Sequence, residues 1–583
     1  MKRDDCMASR SLNDIEYFIR APSMIRIGYK VYNTLQVTGF QMTGSVYKQQ
    51  GAQCSCFKFR NYRNLAFITL AFLQLSCNTT PSFAQQAQST AKVTKAAKQS
   101  QNQNQTLGPQ QNASSPLNSV QENAPPQASI PPGILTTYPS PPLTPPRSGQ
   151  PAPITKGPPA LFPALFGVTP WLQRRGIGFH FDNTNEYAGA LQAPTRGPHY
   201  GNYRQGSSNA GQYSANLTVD WEQLAGIKGF MTHMTTVGRY GTTANRMFGD
   251  WLAHSSEIYG GGGNVVVHLV SLYGEQSLYN GRLLIAGGRM SQMSDFASSP
   301  LFCNFQNNSF CGRPKAAADS TFYSSYPAST WAFRLKGRPR KDLYIQTAVY
   351  FAENGIYMDY QHRTGFKWNG ANIIGYEIPV EAQWEPKFGA NHDLPGHYKF
   401  GFVYDDVRRP DNYYNTAGQA YYVYGGKQLM RNSSWQTYFM FDQKIMNYSN
   451  RPKSSGLTFM GGYIYNSPHT SVRDFEVYGA FMSQGLFPGR PQDILGAAFS
   501  YVSIAPGTRD TTIAMVNADK YSGMPNHATG VQTNAEVLEL DYSIHVMRGV
   551  TFSPDFQYYM NPNGQKGLRN SAMLGFKSYV SFF

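Results

Sequence analysis

From about residue 171 to Phe583 the chain alternates apolar and polar side chains with a period of two. Nowhere does it hold an uncharged apolar run of the roughly 20 residues that a membrane-crossing helix needs. Asp342–Ala352 shows the pattern: Leu343, Ile345, Thr347, Val349 and Phe351 alternate with Tyr344, Gln346, Ala348, Tyr350 and Ala352. In His397–Asp405, Tyr398, Phe400, Phe402 and Tyr404 share one face, with Lys399, Gly401, Val403 and Asp405 on the other. A strand sends successive side chains to opposite faces, so each segment meets two environments. A polytopic helical membrane protein is thereby excluded, and the expected fold class is all-β. In a soluble sandwich the apolar face points to a core; in an outer-membrane barrel it points to lipid while the polar face lines water.

Composition favours the second environment. Only 14% of residues are charged, against about 25% in an ordinary soluble domain, and aromatics reach 14%, with 39 Tyr. Connection lengths point the same way. Strands are expected near 174–187, 211–221, 227–238, 263–273, 281–289, 327–337, 342–352, 372–384, 396–406, 434–446, 455–466, 472–484, 492–503, 534–547, 550–560 and 570–582. Links after even-numbered strands are mostly turn-like, whereas 239–262, 290–326, 407–433 and 504–533 are long. Short turns at one rim and long loops at the other, with an even strand count, are the asymmetry of a transmembrane antiparallel β-barrel of about 16 strands. Closure also removes the edges that an open sheet would expose. The last strand carries Leu574, Phe576, Val580 and Phe582 on one face. The terminal aromatic Phe583 after such a strand resembles an outer-membrane sorting signal read by the barrel assembly machinery, although it shares its face with Lys577 and Ser581.

The amino-terminal part has a different character. Arg60 and Arg63 precede the uncharged run from Leu65 to Cys77, and Ser82 and Ala84 supply small residues at a cleavage site, so 58–84 is expected to be a signal peptide cut after Ala84. Residues 1–57 are then expected to be a non-native or misannotated extension, with true translation expected to start between about Met42 and Phe57. From Gln85 to Pro170 the chain is rich in Gln, Asn, Ser, Ala and Pro and cannot bury a core, which predicts a disordered Gln/Pro-rich periplasmic linker. Residues 171–583 form the expected barrel. Of the net charge of +16, 35 basic against 29 acidic side chains leave +6 after residue 170. No basic patch interleaved with stacking aromatics occurs there, so nucleic acid is not an expected partner. Cys303 and Cys311 alone follow the cleavage site, and an isolated pair in an oxidising compartment reads as one local disulfide.

Several segments carry a family resemblance. Asp220-Trp221-Glu222-Gln223-Leu224-Ala225-Gly226-Ile227-Lys228-Gly229 comes first. Gly287-Gly288-Arg289-Met290, Asp295-Phe296, Ser299-Pro300-Leu301-Phe302-Cys303-Asn304-Phe305 and Cys311-Gly312 follow. Then come Phe441-Asp442-Gln443, Gly485-Leu486-Phe487-Pro488-Gly489-Arg490-Pro491 with Asp493, and Pro554-Asp555-Phe556-Gln557-Tyr558 with Asn561-Pro562. In this order the chain from Trp171 to Phe583 resembles the carbohydrate-selective outer-membrane porins of the OprB family. The resemblance implies a sixteen-stranded barrel in a Gram-negative outer membrane, passing monosaccharides and related polyols by diffusion, with no cofactor and no metal.

Such a channel would narrow at the loop after its fifth strand, about 290–326. Arg289, Asp295 and Phe296 are expected at or beside the constriction, with Glu275 and Arg282 on neighbouring strands as second choices. The alternative is an Arg289–Asp295 salt bridge holding the loop to the wall. Arg490 and Asp493 read as turn-fixing, and Asp555 and Gln557 as lumen-facing. No G-x-S-x-G, H-E-x-x-H or phosphate-cradling loop supports an enzyme. A secreted or outer-membrane carbohydrate-binding or carbohydrate-degrading β protein without channel activity is the alternative function. Whether the barrel is a monomer or a homo-oligomer is left open.

Overall fold

The computed structural model describes residues 160–583 apart from 195–204, 259–265, 320, 323, 357–363, 367 and 369–372, together with the backbone of three strands near the amino terminus. Those strands, β1 (Tyr32–Val37), β2 (Phe40–Gln49) and β3 (Ala52–Phe57), form an antiparallel sheet in a unit of its own. The expected signal peptide and the linker up to residue 159 lie outside the described residues.

The second unit is a closed antiparallel barrel of sixteen long strands. Its first half runs β4 (Ile177–Ala190), β5 (Ser207–Asp220), β6 (Phe230–Gly241), β7 (His268–Leu278), β8 (Leu283–Met290), β9 (Thr330–Arg340), β10 (Leu343–Glu353) and β11 (Ile373–Trp384). The two-residue β12 (Lys387–Phe388) leads into β13 (Leu394–Asp405), after which β14 (Arg409–Asn415) and β15 (Gln428–Arg431) pair with each other outside the barrel. The wall continues through β16 (Ser434–Asn447), β17 (Gly456–Asn466), β18 (Arg473–Gln484), β19 (Ile494–Ile504), β20 (Asn534–Met547), β21 (Val550–Met560) and β22 (Ser571–Ser581). β22 returns to β4, from Met573 opposite Ala190 to Ser581 opposite Asp182. All sixteen expected strands are found; the fourth is the most displaced, placed at 263–273 by the sequence and at His268–Leu278 in the structure.

The wall is apolar outside and polar inside. Phe400 and Phe402 are 56% and 44% exposed on the outer face, while Gly401, Val403 and Asp405 between and beside them are buried. Trp331, Phe333, Phe351, Tyr376, Phe481 and Phe499 are likewise exposed on outward phases. Asp182, Glu186, Arg334, Glu377, Glu381, Arg473, Glu476, Glu539 and Lys577 are buried on the inward ones. Large apolar side chains turned out and charges turned in suit a barrel surrounded by hydrocarbon. No helix among the described residues is long and apolar enough to cross a membrane.

Both ends of the barrel chain lie at the short-turn rim. Residues 160–170, which the sequence assigns to the linker, pack there: the Leu161 and Phe162 amides donate to the Ser581 and Phe582 carbonyls at 2.9 and 2.8 Å. Beyond Ser581 the pairing with β4 goes out of step: the Phe582 amide donates to the Phe181 carbonyl at 2.9 Å and the Phe181 amide donates to the Phe583 carbonyl at 3.0 Å, so two residues oppose one and alternation is broken. Phe583 therefore leaves the phase of Lys577 and stacks on the outward-facing Phe179 and Phe181, with ring centroids 5.4 and 5.7 Å apart.

Candidate functional site

The longest connection, residues 291–329 between β8 and β9, crosses the inside of the barrel, held by carboxylates that project from the wall. Glu381 on β11 accepts the Ala297 amide at 3.1 Å, and Glu377 on the same strand accepts Gln292 Nε2 at 2.5 Å and the Thr321 hydroxyl at 3.2 Å. Asp405 on β13 accepts the Phe322 amide. Glu476 on β18 accepts the Ala316 amide at 2.6 Å, and Glu539 on β20 accepts the amides of Gln306 at 2.5 Å and Asn307 at 3.2 Å. A backbone lying across a barrel has many amides with no ladder partner, and each buried one needs an acceptor. The inward carboxylates supply them. Phe302, Phe305 and Phe310 fill the remaining gap, with Phe302 edge-on to Tyr478 at 5.8 Å.

The structure redistributes the expected site residues. Glu275 and Asp295 both converge on Arg334, which the sequence does not single out: Arg334 Nη2 lies 2.5 Å from Glu275, and Nη1 is bound to Asp295. Tyr350 Oη donates to the other Asp295 oxygen at 3.0 Å. Burial pushes the Asp295 carboxyl above its usual range, with Arg334 acting the other way. One guanidinium thus joins strand β7, strand β9 and the loop.

Arg289 is elsewhere. The β8–β9 register sets it opposite Trp331, on the face that carries the exposed Phe333, and Met290 rather than Arg289 points inward with Phe296. Arg289 is buried beside Trp331, its carbon Cζ 5.6 Å from the ring centroid, and pairs with Glu353 at 2.6 Å. The expected alternative, an Arg289–Asp295 bridge, is corrected with it: the loop is salt-bridged to the wall, but by Arg334. Phe296 is fully buried, edge-on to Tyr350 at 6.2 Å, and presents no ring to the lumen. Arg282 is exposed in the turn between β7 and β8 at the short-turn rim, because β8 starts only at Leu283.

The expected Cys303–Cys311 bridge is also absent: both residues are free and buried. The Cys311 thiol donates to Glu257 at 3.6 Å; the neighbouring Cys311 lowers the Cys303 pKa, while burial raises that of Cys311. Lys577 Nζ approaches Cys311 Sγ at 3.5 Å and donates to the Phe305 carbonyl at 3.1 Å. That lysine and Glu539 hold this part of the loop without a covalent link. Asp555 and Gln557 do face inward, with Gln557 Nε2 2.6 Å from Asp555 and its Oε1 accepting from Asn307 at 2.9 Å. Arg490 and Asp493 pair at 2.7 Å within their turn.

On the short-turn side of the loop a narrow cleft lies between Ser298, Ser299, Phe302, His397, Lys399 and Asp442. Lys399 donates to the Ser298 carbonyl at 2.6 Å, and His397 pairs with Asp442 at 2.7 Å. Nearby on the β9 and β10 wall, Lys336 Nζ sits 3.8 Å from the centre of the Tyr344 ring. Fixed donors, acceptors and a ring on a wet surface can exchange weak contacts with a hydroxylated solute. Among the described residues no three His, Cys, Asp or Glu side chains group so as to hold a metal.

A membrane barrel with a charged lumen and a loop packed across it defines a porin-type channel of the Gram-negative outer membrane. Residues 204–582 match the family model described as carbohydrate-selective porin, OprB family. The chain belongs to that family. It is 27% identical to Porin B of Pseudomonas aeruginosa over 420 residues, covering 70% of this chain and 88% of that one. It is 24% identical over 382 residues to the putative porin QuiX of Acinetobacter baylyi, covering 64% and 83%. A solved structure of Pseudomonas putida OprB at high pH shares the fold, with a TM-score of 0.65 at 23% identity, covering 72% of this chain and 97% of that one.

Proposed function

We propose that the chain is a passive channel for monosaccharides and related polyols, that the loop 291–329 sets its aperture, and that it catalyses no reaction. The observation that carries this reading is the attachment of the loop to carboxylates on β11, β13, β18 and β20, which fixes a backbone across the lumen. A diffusion pore needs an opening of constant size and contacts that are weak and multiple, since tight binding stops flux. Glu275, Asp295 and Arg334 together form the charged post of the constriction; Arg289, Phe296 and Arg282 support the wall and its rim. The linker before Ala160 then extends into the periplasm, and the Phe583 edge is the element offered to the assembly machinery.

Swelling of liposomes containing the purified protein, with neutral sugars of increasing size, tests the proposal. Pentoses, hexoses and hexitols should enter quickly and trisaccharides slowly. Correctly inserted, heat-modifiable protein that gives no swelling with any sugar would favour a carbohydrate-binding protein without channel activity.

A further inference from the structure

Residues 160–175 form a short collar at the short-turn rim, ending in the helical turn Val168–Gln173. Its apolar side chains are uncovered: Phe166 is fully exposed, and Phe162, Val168 and Trp171 are about half exposed. The collar contains no Asp or Glu, and it closes on Arg174 and Arg175, both exposed. Arg175 Cζ lies over the Trp171 ring at 4.1 Å, and its Nη1 donates to the Trp171 carbonyl at 3.3 Å. An uncovered aromatic cluster of this kind is unfavourable in water.

We propose that this collar lies in the periplasmic leaflet of the outer membrane, with its aromatic side chains at the acyl boundary and Arg174 and Arg175 on phospholipid phosphates. Two observations choose lipid as the occupant. The collar is continuous with the lipid-facing wall: Leu161 and Phe162 are hydrogen-bonded to Ser581 and Phe582, and Phe582 packs on the outward-facing Phe181 at 5.6 Å. Its charge is wholly positive, which suits phosphate head groups, and paired Arg and Trp are the side chains that settle at a bilayer interface. The collar thus acts as an interfacial anchor where the preceding chain meets the barrel. This inference rests on the barrel spanning the membrane and is independent of what passes through it.

The test uses the whole protein in vesicles of phosphatidylethanolamine and phosphatidylglycerol. The emission of Trp171 is isolated as the difference between wild type and Trp171→Phe, a substitution that keeps an aromatic ring. Lipids brominated near the head-group end of the acyl chain should quench most of that difference, and aqueous acrylamide little of it. Bromine carried on phosphatidylglycerol should quench at least about threefold more effectively than on phosphatidylethanolamine, because anionic head groups gather at basic side chains on the surface. The preference should vanish in the Arg174→Gln, Arg175→Gln variant. Quenching by acrylamide and not by lipid would overturn the proposal, as would shielding from both, which would mean that protein covers the collar. Equal quenching by the two head groups in wild type would overturn the role of the arginines.

Discussion

Arg473 on β18 and Asp319 near the far end of the inward loop form a buried ion pair, with Arg473 Nη1 2.5 and 2.6 Å from the two carboxylate oxygens. Arg473 Nη2 also donates to the Leu252 carbonyl at 3.1 Å, so one side chain fastens two connections to the wall. Removing one partner of a buried pair leaves the other charge uncompensated, at about 3–5 kcal/mol. Asp319→Ala should therefore lower the temperature at which the folded band is lost in electrophoresis and raise open-channel current noise. Unchanged noise in a folded variant would show that the pair does not steady the loop.

Arg334 stands between Glu275 and Asp295. In Arg334→Gln the two carboxylates face each other and the lumen without their cation. The reversal potential in a KCl gradient should move toward cation selectivity, whereas Asp295→Asn should move it the other way. Identical potentials in both variants would remove this cluster from the ion path.

Glu539 accepts two consecutive loop amides, those of Gln306 and Asn307. Glu539→Ala leaves both unpaired, at about 1–3 kcal/mol each, and the segment should swing from the wall. Trisaccharide swelling rates should rise relative to hexose rates; a uniform change across all sizes would argue against a role in the aperture.

Gly401 makes room for an aromatic ring. A Cβ there would lie 2.0 Å from Tyr438 Cζ, and Tyr438 Oη donates to Glu381 at 2.8 Å, the carboxylate that also holds Ala297. Gly401→Ala should displace the ring and reproduce the conductance of Tyr438→Phe, although position 401 touches no solute. Wild-type conductance in Gly401→Ala would sink this coupling.

The outer face gives a depth-dependent prediction. Phe400→Arg puts a charge on the middle of an outward phase of β13, costing about 2–4 kcal/mol at the bilayer midplane. Phe400→Leu should cost far less. Refolding titrations into vesicles measure the difference.

Most of the wall is legible in the residues, because a period of two and unequal connections leave few other solutions. The loop's attachment is less so. Glu381, Glu476 and Glu539 stand visibly on polar phases, but their partners are main-chain amides, which no residue type marks. Arg334 escapes notice because it sits mid-strand in no motif, whereas Arg289 draws attention through its glycine-flanked segment and faces the other way. Alternation could have warned of this, since Arg289 and Met290 must point to opposite sides. The spacing of Cys303 and Cys311 brings the thiols together, yet contact alone does not make a bond between them.

The pairing of Ser581 with Asp182 also orders events in time. These partners are among the most widely separated in the barrel sequence, so the contact that completes the cylinder is available only after nearly all the chain has emerged. Until then β4 and β22 each present an unpaired edge able to recruit a foreign strand, and such long-range pairing is intrinsically slow. Closure is therefore a late step of assembly, and a variant that weakens the β22–β4 ladder should accumulate as an open sheet before any defect in solute passage can be measured.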